Sequence, residues 1–117
     1  MKTIIAGSRN ITDYNLLKQA IKESCFEITE IISGGARGAD SLGEQYAKEN
    51  SIPLKIFPAE WDKHGKAAGF IRNEQMAKYI EGSGQLIALH FKESKGTAHM
   101  ISLANNYGIK TFVKKVE

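Results

Sequence analysis

Five short apolar runs, each of the first four followed by helically spaced apolar residues, constrain this chain more than any other feature. The runs occupy residues 2–7, 30–33, 54–57, 85–90 and 109–113. Between them, apolar residues return every third or fourth position. They are Leu17, Ala20 and Ile21 before Cys25, then Ala39, Leu42, Gly43, Tyr46 and Ala47 within 38–50. Ala67, Phe70, Ile71, Met76, Ala77 and Ile80 follow in 67–80, and Ala98, Ile101 and Ala104 precede Gly108. That recurrence marks one face of a helix. Alternating units with near-continuous apolar strands predict an α/β fold, a parallel sheet covered by helices on both faces. Right-handed crossovers leave few topologies. The expected one is a single Rossmann-like three-layer α/β/α domain with five parallel strands in order 3-2-1-4-5; flavodoxin-like 2-1-3-4-5 is the alternative.

Punctuation between the elements supports these boundaries. Thr12 or Asp13 can cap the first helix, Asn50 can close the second, and Pro53 bars its continuation. Thr97 or Ser94 can open the fourth helix, and Gly108 is a credible left-handed stop. Lys114 and Lys115, beyond the last run, suit an exposed sheet edge.

Composition narrows the function classes. One cysteine in 117 residues rules out an internal disulfide and fits a reducing, cytoplasmic setting. No apolar run reaches membrane-span length, and no Cys or His cluster has metal-ligand spacing, so no membrane, metal or cofactor is expected. Residues 1–58 carry seven basic and seven acidic side chains, and residues 59–117 carry nine and six. That mild excess suits an anionic small ligand better than nucleic acid, which asks for a denser basic stripe. Assembly with further copies of the chain stays open.

Ligands of such sheets bind beyond the carboxyl ends of the strands, where strand order reverses. Three segments would open there. Gly7, Ser8 and Arg9 end the first strand; Gly34, Gly35, Arg37, Gly38 and Asp40 link the second strand to its helix; Lys95, Gly96 and Thr97 follow the fourth. Glycines let a phosphate approach helix-start amides, and the cations match its charge. Trp61, in a polar loop, could stack on a base, and Arg72 and Asn73 interrupt an otherwise apolar helix. Each has a plainer role as well. The glycines could serve positive φ, Gly43 could let helix meet sheet, Asp40 could interact with its helix dipole, and Trp61 could cover the core edge. Neither Gly-x-Gly-x-x-Gly nor Gly-Lys-Ser/Thr occurs, which excludes a P-loop.

Taken together, Gly7-Ser8-Arg9, the Gly-Gly-x-x-Gly-x-Asp of residues 34–40, Pro58-Ala59-x-Trp61, Gly65-Lys-Ala-Ala-Gly69, Arg72-Asn73 and Lys95-Gly-Thr-Ala-His99 resemble the SLOG superfamily, in its small stand-alone branch similar to YspA. The superfamily also holds the Lonely Guy phosphoribohydrolases and the DNA-uptake protein DprA. The resemblance covers nearly the whole chain and implies a Rossmann-like domain that binds nucleotides or nucleotide-derived molecules. Lonely Guy enzymes carry Pro-Gly-Gly-x-Gly-Thr-x-x-Glu, whose glutamate serves glycosidic-bond cleavage; Met100 stands at that place here. A binding module for a nucleotide-like ligand is therefore the expectation. N-glycosidic hydrolysis is the alternative, and single-stranded DNA binding comes third.

Overall fold

Successive side chains of a strand point to opposite faces, and here both sets are apolar. Ile4, Ala6, Ile32, Leu86 and Ala88 face one core, whereas Ile5, Ile31, Ile87 and Leu89 face another. Such a sheet must be covered on both sides. The computed structural model describes residues 1–8, 11–35, 38–82, 84–91 and 95–116. Its elements run β1 (Lys2–Gly7), α1 (Tyr14–Ser24), β2 (Glu30–Ser33), α2 (Ala39–Glu49), β3 (Leu54–Ile56), α3 (Trp61–His64), a tight helical turn Gly65–Ala67, α4 (Ala68–Tyr79), β4 (Gln85–Phe91), α5 (Lys95–Asn106) and β5 (Lys110–Val116).

All strand pairs are parallel, in the order β3-β2-β1-β4-β5. This is the expected Rossmann-like arrangement, with strand order reversing between β1 and β4. Helices α1 and α2 cover one face through Leu17, Ala20, Ala39, Leu42 and Ala47. Helices α4 and α5, with Ile80 just past the end of α4, cover the other through Met76, Ala77, Met100 and Ala104. Each large aliphatic side chain so buried stabilises the fold by about 1.5–3 kcal/mol.

The boundary signals behave as their chemistry requires. Asp13 caps α1, its carboxylate accepting from the Asn15 amide at 3.0 Å. Asn50 closes α2 with its side-chain amide on Tyr46 O at 2.9 Å. Gly108 has φ +68, and the Ile109 amide turns back to Ala104 O at 2.8 Å. Three details depart from the expected elements. The segment before α4 is itself helical from Trp61 rather than a plain loop. Strand β5 runs through Lys114 and Lys115 instead of ending before them, because it pairs with β4 along its full length. Lys114 then reaches Glu23 of α1 at 2.6 Å. Finally, α5 opens at Lys95; Ser94 lies outside the described residues.

No helix among the described residues is long and apolar enough to cross a membrane.

Close helix–sheet contact depends on Gly43. A Cβ there would stand 2.9 Å from Ile5 Cβ, tighter than packing allows. Alanine gains up to about 1 kcal/mol in helix propensity, while overpacking costs about 1–3 kcal/mol. Gly43→Ala should therefore lower stability by about 1 kcal/mol net, and Gly43→Val by more. Urea unfolding midpoints check this; an unchanged midpoint for both would mean that α2 does not press on β1 at this point.

Candidate functional site

The carboxyl edge of the sheet gathers the described candidates. Gly7 and Ser8 end β1; Gly34, Gly35, Gly38 and Asp40 lie between β2 and the first turn of α2; Trp61 opens α3. Arg72 and Asn73 lie in α4, and Lys95, Gly96 and Thr97 form the first turn of α5. Arg9 and Arg37 lie outside the described residues.

Helix α4 draws the two flanking turns together. Arg72 Nη1 donates to Gly34 O at 2.7 Å, and its Nε donates to Asn73 Oδ1 at 3.0 Å. That second bond orients the Asn73 amide, because an oxygen that accepts from Arg72 leaves the nitrogen as the outward donor. Asn73 Nδ2 then faces Gly96 O at 3.3 Å and His99 Nδ1 at 3.3 Å. Adjacent residues of one helix thus hold a backbone carbonyl from each side of the switch point. Asn73 is 6% exposed, so its bonds replace water it has lost.

Each glycine of the Gly-rich turns has its own cause. A Cβ on Gly34 would strike the Arg72 guanidinium and stand 2.8 Å from Asp40 Oδ2. Gly35 and Gly38 adopt φ +72 and +73, the left-handed region that disfavours a side chain. On Gly7 a Cβ would stand 2.6 Å from Ala39 Cβ and 2.7 Å from Leu89 O. Gly96 is different: its φ is not positive, and among the described residues a Cβ would meet nothing within 4 Å.

Two amides of the expected phosphate cradle are already engaged. The Gly35 amide donates to Ser33 Oγ at 3.1 Å, and that hydroxyl donates to Glu44 Oε2 at 2.8 Å. The Ala39 amide, first in α2, donates to Ser8 O at 3.3 Å. Asp40 is 7% exposed within that first turn, its Oδ2 against Gly34. Trp61 is 49% exposed; its ring reaches Gly69, where a Cβ would stand 3.6 Å from Cη2 and 3.9 Å from Arg72 Nη2. Thr97 is buried.

Glu44, Phe70 and His99 were not among the expected site residues. Phe70 belongs by spacing to the apolar stripe of its helix, yet it is 49% exposed. It lies about two turns from the buried Ala77 on the same side of α4. Its azimuth is right, but at the first turn of the helix it stands at the sheet's carboxyl edge. There it meets the His99 ring edge-on, with centroids 4.6 Å apart. Among the described residues, no group of three or more His, Cys, Asp or Glu could hold a metal ion.

Burial pushes the His99 imidazole below its ordinary value of 6.5, and Glu74 opposes this only in part. The Asn73 donor acts in the same sense as burial, since it needs an unprotonated Nδ1. As pH falls below about 6.5, the unfolded chain protonates first. The contribution of neutral His99 is full above that pH and is lost as pH falls through the lowered folded value. The parent should thus lose stability on acidification more steeply than His99→Gln across this window, as read by denaturant unfolding at several pH values. Parallel curves for the two proteins would show that folding does not hold His99 unprotonated.

Comparison with known proteins bears on the first half of this edge. The model of the YspA, cpYpsA-related SLOG family (YAcAr) matches residues 1–64, from β1 through α3. The chain is also similar to the Gene 61 protein of Mycobacterium phage D29, 29% identical over an alignment that covers 92% of this chain and 91% of the phage protein. No solved structure matches. With its glycine turns, parallel order and matched segment in agreement, the chain belongs to the YspA, cpYpsA-related SLOG family.

Proposed function

We propose that the chain is one binding domain for a nucleotide or nucleotide-derived molecule, held where the turns after β1, β2 and β4 open. Membership of the SLOG family suggests a nucleotide-related ligand. The observation that carries the reading is the pair Arg72–Asn73, which fastens Gly34 O and Gly96 O to one helix. A ligand reaching from one turn to the other would meet a preorganised frame, and preorganisation reduces the ordering cost of binding. Lys95 is exposed at the start of α5, suitably placed as a cation for a phosphate. Gly96 beside it leaves room for close approach.

Binding is favoured over turnover by Met100. At 1% exposure it belongs to the hydrophobic core with Ala104 and Met76, so the position of the Lonely Guy glutamate faces inward here. Asp40 is the acid the hydrolytic alternative would use. Its burial and its place beside the Arg72 guanidinium give it a structural role without that chemistry.

Calorimetric titration with nucleoside monophosphates at fixed salt tests the reading. Lys95→Ala removes a charge-assisted contact worth about 1.5–3 kcal/mol and should weaken binding about 10- to 100-fold. Gly96→Ala should stabilise the fold by up to about 1 kcal/mol while weakening binding, because its Cβ enters the open space. Unchanged affinity in both variants would detach the β4–α5 turn from the site. Incubation with the same nucleotides should release no free base; release that Asp40→Asn abolishes would establish the hydrolytic alternative.

A further inference from the structure

We propose that Phe70 supplies a stacking face for an aromatic base, so that the site selects nucleotides over simple sugar phosphates. This rests on the reading above and names the part of the ligand that the α4 side recognises.

A singly exposed aromatic side chain is ordinary on a protein surface. Phe70 is distinguished by what surrounds it. Its ring is held edge-on against His99 at 70° between planes, with about half of its surface open. His99 is in turn held by Asn73, three residues along α4 from Phe70, and Asn73 also faces Gly96 O. The ring therefore stands beside the first two turns of α5, where His99 follows Gly96 by three residues and Lys95 by four and so shares their side of the helix. Lys95 precedes that glycine, exposed. With the aromatic ring held against His99, one side of α5 thus carries a glycine and an exposed ammonium group. A base, a sugar and a phosphate ask for those three features in that order. Stacking needs a rigid ring, and the His99 contact supplies rigidity that an unsupported surface phenylalanine lacks.

Calorimetry with nucleoside monophosphates and with ribose phosphate, on the parent, Phe70→Leu and Phe70→Tyr, tests this. Leucine keeps an apolar cover over His99 but removes the π face. Phe70→Leu should weaken nucleotide binding about 5- to 100-fold, leave ribose phosphate within about twofold, and Phe70→Tyr should restore nucleotide affinity. Phe70→Leu binding nucleotides like the parent, or losing both ligands equally, would overturn the proposal. So would a parent that binds ribose phosphate as tightly as the nucleotides, although the phosphate-binding reading would then survive. A parent that binds neither class would overturn that reading and this proposal with it.

Discussion

The candidate site depends on two neighbouring polar side chains of α4. Arg72 and Asn73 are adjacent on the helix, so their directions differ by about 100°. One reaches Gly34 beside β2 and the other Gly96 beside β4. The Nε–Oδ1 bond between them makes the two reaches interdependent, since it fixes which end of the Asn73 amide points outward. A buried amide is costly when partly satisfied and specifying when fully satisfied. Turns far apart in the chain are thereby held in one arrangement before any ligand arrives.

Glycines at the edge divide according to what excludes a side chain. Gly7 and Gly43 let α2 lie close against β1, and Gly34 lies under Arg72 and Asp40. Gly35 and Gly38 turn the chain with positive φ. All five have sufficient cause in the fold itself. Together with the engaged amides of Gly35 and Ala39, this makes the β2–α2 turn chiefly a structural joint with a surface to offer. Among the described residues nothing excludes a side chain at Gly96, although glycine in a helix costs about 1 kcal/mol relative to alanine. The proposed ligand contacts therefore weigh toward the β4–α5 turn and toward Phe70, which meets His99 of the same helix.

Architecture was legible because it rests on local periodicity. Strand runs buried on both faces and helix stripes at regular spacing leave a parallel sheet as the consistent solution, and handedness restricts its order. Caps at Asp13, Asn50 and Gly108 are local chemistry and were equally readable. Bonds between distant residues were not. Arg72 and Asn73 looked like polar interruptions of a helix because their partners lie 38 and 23 residues away. Phe70 looked like core because helical periodicity reports azimuth and says nothing of height along the axis. Trp61 read as a loop residue because four helical residues are too few to show a period.

The central claim is that the turns on either side of the switch point form one ligand site braced by α4. Its most direct test is an amide NMR titration of the isotope-labelled chain with a nucleoside monophosphate. The account predicts that the Gly34, Gly35, Phe70 and Gly96 resonances move together along one saturating curve. Shifts confined to one turn, or resonances of the two turns saturating at different ligand concentrations, would contradict it.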